Sequence, residues 1–414
     1  QAVCAQAQES SMSRGMADIA NQSALVVGAA LLVWLLSRSP KRGSPRKPAR
    51  SKDAPPVDVE ARWKTNMSKR TNCTGDRYLI IGVGFLGQRI IDILLMRGET
   101  EILAFDIRPC PRYANDPRVT CVLGDVTNSI EVEEACKGMD IVFATFALIR
   151  FQDRLPFQAA LSEKANVRGT ETVLAACKAT GVKRLIVTST NMTVVAPQLC
   201  TTSMDESSPY VTRAEALNHY SWTKAAAERQ LLEAAEPSLD IAVIRICSGM
   251  IGPFDKIMTQ KFQDYGLMLM PNPQAHIDWI YVDNVVWGHL LAEKALLSKK
   301  GEASGQVFCI TNGDPMTVEE MLLGIQHFKP SLKLFSMPYF MWGVAHVIEW
   351  FLWFSRGLVP LGPLEDLTPA ALLNASLSYA FCDDKASKVL GYAPLFTMDE
   401  AFQLCVVEYD KSHS

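Results

Sequence analysis

From Tyr78 the chain reads YLIIGVGFLGQRIIDILLMRG, a short apolar strand, a glycine turn and then apolar residues at helical spacing. No other stretch restricts the fold as tightly. In G-x-G-x-x-G, Gly82 permits the tight turn, Gly84 lets backbone N–H groups approach a pyrophosphate, and Gly87 lets helix pack on strand. The expected phosphate contacts are Gly82, Gly84, Phe85, Leu86 and Gly87. A second strand, EILAFDIR, ends at Asp106, about 20 residues on, where a carboxylate accepts from adenosine ribose hydroxyls and repels a 2′-phosphate. This favours NAD, while Arg108 leaves NADP open. A third strand, VTCVLGDVT, brings Asp125 and Val126 to the adenine position, and a fourth, DIVFATFA, ends in small residues. Four successive βα units predict an α/β chain built on a Rossmann-type doubly wound parallel sheet.

Composition removes the competing classes. With 414 residues, 48% hydrophobic and 21% charged, the chain can bury a large core, so disorder is local at most. A net charge of −3 supplies no basic field for nucleic acid. The eleven cysteines are scattered, odd in number and without a C-x-x-C pair, which argues against a disulfide framework or zinc site and for a reduced, cytosol-facing location. His276 and His346 have no second histidine or acid at ligand spacing, so no metal is expected.

Residues 183–195, KRLIVTSTNMTVV, read as a buried strand ending in Thr188, Ser189 and Thr190. Further on, HYSWTKAAAE carries Tyr220 and Lys224 at i, i+4, hence on one helix face. A free phenol, with a pKa near 10, is a poor base at neutral pH, but a nearby lysine cation and a nicotinamide charge favour phenolate. Tyr220 is then a general base for an alcohol proton, Lys224 its partner and a hold on the nicotinamide ribose, and Thr190 the hydroxyl that orients the reacting oxygen. Ser189 is the alternative to Thr190.

These motifs, together with Asn166-Val-x-Gly-Thr170, IRICSGMIGP (244–253), YVDNVVWGHLLA (281–292) and ITNGDP (310–315), resemble the extended short-chain dehydrogenase/reductases of the 3β-hydroxysteroid dehydrogenase type. The resemblance runs from about residue 76 to 410, and FCDDKASKVLGYAPLFTMDEAF (381–402) is most similar to the tail of sterol-4α-carboxylate 3-dehydrogenases. It implies Tyr220 as proton acceptor, Lys224 as cofactor-binding partner, Thr190 where the family has serine, a sterol or steroid substrate, and a smaller C-terminal substrate lobe. A homodimer is left open. Two departures stand out: Ile81 occupies the place of the family's first glycine, and Thr190 adds a methyl. Related expectations are a 3β-hydroxysteroid dehydrogenase/isomerase, an NADPH-dependent reductase of flavonoid-like ketones and, from another class, a dinucleotide-binding scaffold without turnover.

The termini complete the expected organisation. Residues 1–15 read as a leader or upstream segment, and 16–37, with the run ALVVGAALLVWLL, as a signal-anchor helix, although a cleaved targeting peptide shares this pattern. Residues 38–72 read as a basic, Pro-rich extended linker, which by the positive-inside rule puts the rest of the chain in the cytosol, at the endoplasmic reticulum if the substrate is a sterol. Taking the seven positive charges of its Arg38–Lys52 cluster from the net −3 leaves −10 for the rest. The NAD-binding part is expected over 73–250 and the substrate lobe, with interleaved Rossmann elements, over 251–410. Within the lobe PYFMWGVAHVIEWFLWF (338–354) has one formal charge, Glu349, and fits a membrane-interface helix, a wall of a sterol channel, or a core helix.

Overall fold

The computed structural model describes residues 46 and 48–413, except 202, 248, 260–264, 299, 300 and 360. The expected leader and anchor therefore lie outside the described residues. Among the described residues no helix is long and apolar enough to cross a membrane.

Seven strands form the central sheet: β1 (Tyr78–Ile81), β2 (Ile102–Asp106), β3 (Val119–Leu123), β4 (Ile141–Ala144), β5 (Arg184–Thr190), β6 (Asp240–Ile246) and β11 (Gln306–Ile310). Their order is β11-β6-β5-β4-β1-β2-β3, every pairing parallel. The order reverses between β1 and β4, the position where open α/β sheets leave a crevice at the strands' C-terminal ends.

Alternation along each strand builds two cores. Tyr78 and Ile80, Ile141 and Phe143, Ile186, Ala242 and Ile244 face one side, while Leu79 and Ile81, Val142 and Ala144, Leu185 and Val187, Ile241 and Val243 face the other. Helices cover both faces, which explains why these strands read as unbroken apolar runs. Helix Val282–Leu297 is buried along nearly its whole length, and β11 follows it back into the sheet, so the chain after residue 251 is divided between sheet and lobe. The smaller strands pair locally: β7 (Gly249–Ile251) with β10 (Trp279–Tyr281), β8 (Leu267–Met270) with β13 (Lys333–Ser336), and β9 (His276–Ile277) with β12 (Met316–Thr317).

The expected linker over 38–72 is corrected at its C-terminal end. Val59–Arg70 is a helix capped by Asp58, and its Trp63 is fully buried. The indole donates to Asp283 at 2.7 Å and meets Trp287 edge-on, while Arg89 binds the same carboxylate at 2.6 Å. Trp63 and Met67, at i and i+4, give this otherwise polar helix a buried apolar edge, and burying a side chain of that size is worth about 1.5–3 kcal/mol. Part of the basic cluster is also committed: Arg46 pairs with Asp314 and Arg50 donates to Gln403.

Candidate active site

At the switch point β1 turns on Gly82, whose φ of +93° and close approach to Phe146 exclude a side chain: a Cβ there would stand 2.5 Å from the Phe146 nitrogen. Helix Phe85–Arg97 then starts from Gly84. A Cβ on Gly87 would stand 2.1 Å from the Gly82 carbonyl, whereas one on Gly84 would meet nothing within 4 Å. The turn is thus jammed on its protein side and open over the helix start, where no side chain caps the first turn. Phe85 packs its ring against Gly252 and Leu86 is in the core, so what these two can offer a ligand is backbone. Ile81, in place of the family's first glycine, fills the core beneath the turn.

Asp106 ends β2 and braces the same turn. One carboxylate oxygen accepts from the Val83 N–H at 2.7 Å, and the other accepts from the Arg108 N–H at 2.8 Å. Thr145, just after β4, closes the other side by donating to the Gly82 carbonyl at 2.6 Å. Asp125 accepts from the backbone and hydroxyl of Thr127, which hold its carboxyl below the ordinary range, and Val126 packs beside Gly169. This cradle, open at Gly84 and rimmed by carboxylates, fits a nucleotide pyrophosphate and ribose.

Tyr220 and Lys224 project from helix His219–Ala234, which Asn218 caps by accepting from the Ser221 N–H. Both are buried against the end of β5. Burial pushes the Tyr220 phenol up to about 12, with the neighbouring Thr190 hydroxyl pulling the other way. Lys224 donates to the Thr188 carbonyl at 2.8 Å, and burial lowers its pKa to about 8, against the pull of Glu228. The Phe151 ring meets Tyr220 edge-on at 5.5 Å.

The three hydroxyls ending β5 have different partners. Ser189 donates to Glu228, which also binds the buried Arg245. Thr188 meets His289 Nε2 at 2.8 Å, and His289 Nδ1 lies 2.8 Å from the Val285 carbonyl; burial lowers that ring's pKa to about 4, so it is neutral, with Nδ1 donating and Nε2 accepting. Thr190 donates to Asn191 Oδ1 at 3.1 Å, accepts from the Met192 N–H and lies beside Tyr220. Ser189, the alternative left open by the sequence, is engaged by Glu228, which stands on the same helix as Tyr220 and Lys224.

One supporting residue carries no assigned role in the sequence reading. Asn166 sits in a π-turn, Glu163–Arg168, set within a longer helix. Its amide bonds both the N–H and the carbonyl of Leu148 and donates to Thr223, between Tyr220 and Lys224. Its signal in the sequence was the Asn166-Val-x-Gly-Thr170 motif, which gave it no role, and the widened turn that aims it inward is a tertiary feature.

The model of the 3-beta hydroxysteroid dehydrogenase/isomerase family matches residues 79–328, which include the glycine turn, the end of β5 and the Tyr220 helix. The chain belongs to that family. Among its relatives, a mouse (Mus musculus) sterol-4-alpha-carboxylate 3-dehydrogenase, decarboxylating, is 30% identical over 83% of this chain and 92% of its own. A 3-beta-hydroxysteroid dehydrogenase of Mycolicibacterium neoaurum is 31% identical over 79% of this chain and 89% of its own. The fold is shared with a dTDP-glucose 4,6-dehydratase of Streptomyces venezuelae, solved with NAD bound, at a TM-score of 0.61 and 20% identity over 81% of this chain and 97% of that one. As a member of the 3-beta hydroxysteroid dehydrogenase/isomerase family the protein is an oxidoreductase acting on a hydroxyl group.

Proposed function

We propose that the protein oxidises the 3β-hydroxyl of a sterol or steroid with NAD as hydride acceptor, and that its substrate is a 4α-carboxysterol that then loses CO2. The observation that carries the reading is the buried trio of Tyr220, Lys224 and Thr190 at the C-terminal end of β5, in a chain 30% identical to a decarboxylating sterol dehydrogenase. Gly82, Gly84, Phe85, Leu86, Gly87 and Asp106 would hold the cofactor, with Asp125 and Val126 on its adenine side. NAD, when bound, supplies the acceptor for the carbinol hydride.

Thr190 donates to the substrate oxygen and holds it beside the phenol. Tyr220 takes the hydroxyl proton at its phenol oxygen, which Lys224 assists by placing positive charge nearby. The product is a ketone β to the carboxylate. The C–C bond to the carboxylate then breaks, its electron pair moves to the ketone oxygen as an enolate, and Thr190 and the protonated Tyr220 stabilise that oxygen. We further propose that residues 16–37 anchor the chain in the endoplasmic reticulum membrane with the catalytic part in the cytosol.

The test supplies the purified full chain with NAD and a 4α-carboxysterol, and measures NADH and released CO2 together. Equal amounts of both support the proposal. NADH from a 3β-hydroxysteroid lacking the carboxylate, but none from the carboxysterol, moves the substrate toward that of the M. neoaurum relative. NAD binding without turnover on either would overturn the proposed sterol or steroid substrate.

A further inference from the structure

Strand alternation ends at Thr190. Its backbone is still extended, at φ −146° and ψ 151°, but Asn191 opens the tight turn Asn191–Thr193, and the side chains of these two consecutive residues meet. The Thr190 hydroxyl lies 3.1 Å from Asn191 Oδ1, long for an O–H donor, so it can leave this acceptor for a substrate oxygen. The other half of the amide is unused. Asn191 is 3% exposed, and its Nδ2 is buried without a hydrogen-bond partner. A buried amide nitrogen left unpaired bears its full desolvation penalty, which is offset once a bound molecule brings an acceptor.

The polar neighbour of this amide is the phenol of Tyr379, which is also buried. Burial raises its pKa, against the pull of Asn191, so at neutral pH the hydroxyl keeps its proton and is a donor. The chain around it is pinned. The Tyr379 N–H donates to the His276 carbonyl at 2.8 Å, the Ala380 N–H to the Thr201 carbonyl at 3.1 Å, and the Phe381 N–H to Asp278 at 2.7 Å. Two neutral donors, one from the end of β5 and one from the C-terminal part of the chain, therefore stand next to the reacting trio.

We propose that Asn191 and Tyr379 bind the 4α-carboxylate of the substrate, one donor to each oxygen, while Thr190 and Tyr220 hold the 3-oxygen. The proposal rests on the carboxysterol reading above. The two oxygen-bearing groups of such a substrate sit on adjacent carbons, and Thr190 and Asn191 are adjacent residues whose side chains touch. Neutral donors also suit the bond cleavage that follows. A cation would stabilise the carboxylate more before reaction than after its charge has moved to the ketone oxygen, whereas an amide and a phenol orient the group with less of that ground-state stabilisation.

The test measures kcat/KM with NAD for a 4α-carboxysterol and for the same 3β-hydroxysterol without its carboxylate, using the full chain as wild type, Tyr379→Phe and Asn191→Asp. Tyr379→Phe removes one hydroxyl, keeps the ring and leaves in place the Thr190 bonds to Asn191 and Met192. Asn191→Asp keeps an acceptor for Thr190 but sets a carboxylate against the substrate's own. The expected result is that the preference for the carboxysterol, read as the ratio of the two kcat/KM values, falls about tenfold or more in each variant. A wild-type preference that neither substitution changes would overturn the proposal, and one that a single substitution leaves unchanged would strike that residue from it. Wild type that favours the carboxylate-free sterol would instead overturn the carboxysterol reading on which the proposal rests.

Discussion

Tyr220 illustrates what burial does to a single residue. Removing the phenol from water raises its pKa to about 12, so useful phenolate at neutral pH depends on positive charge brought beside it. Tyr220→Phe keeps the ring against Phe151 but removes the acid–base oxygen. It should lower kcat by roughly 10²–10⁴-fold with cofactor affinity retained, read by steady-state kinetics and fluorescence titration. A second residue records a cost of the fold. Asp278 is buried and accepts from the Phe381 N–H, and burial raises its carboxyl to about 7. Because the folded pKa exceeds the unfolded one, the folded state holds the extra proton between about pH 4 and 7. Stability therefore falls as pH rises through that window, by at most about 4 kcal/mol. Asp278→Asn retains an acceptor and cannot ionise, so urea unfolding should show it matching wild type near pH 4 and exceeding it at pH 8.

The glycine turn works as an element, and its glycines serve different ends. Gly87 is needed for packing and Gly84 for space. Gly87→Ala pushes a methyl into the Gly82 carbonyl, which should cost about 1–3 kcal/mol of stability. Gly84→Ala enters open space at an ordinary φ of −78°, so its stability should stay near wild type while its dinucleotide affinity falls about tenfold or more. Urea midpoints and cofactor titration of the two variants separate these roles. The fingerprint was legible because spacing and residue type announce it. The braces from Thr145 and Asn166 were not, since each depends on a distant backbone carbonyl or helix position.

At the scale of the whole molecule, the segment before the sheet is part of the folded body. Trp63 joins Asp283, Arg89 and Trp287, residues far apart in sequence. Trp63→Ala should destabilise the protein by about 3–5 kcal/mol in urea unfolding, whereas a tryptophan on a free linker would change it by less than about 0.5 kcal/mol. Truncations meant to preserve the catalytic body should therefore begin before Asp58.

Periodicity and motif spacing determined the parallel sheet, its glycine turn and the Tyr220–Lys224 pair, because each is a local pattern read along one strand or one helix. Tertiary structure decided the rest. It selected Thr190 from three adjacent hydroxyls, since only packing assigns Ser189 to Glu228 and Thr188 to His289. It also turned a basic, polar stretch into a docked helix and set the aromatic face of Phe340–Ser355 outward. Which face of a helix is buried depends on what lies against it, and a partner hundreds of residues away leaves no mark on local spacing.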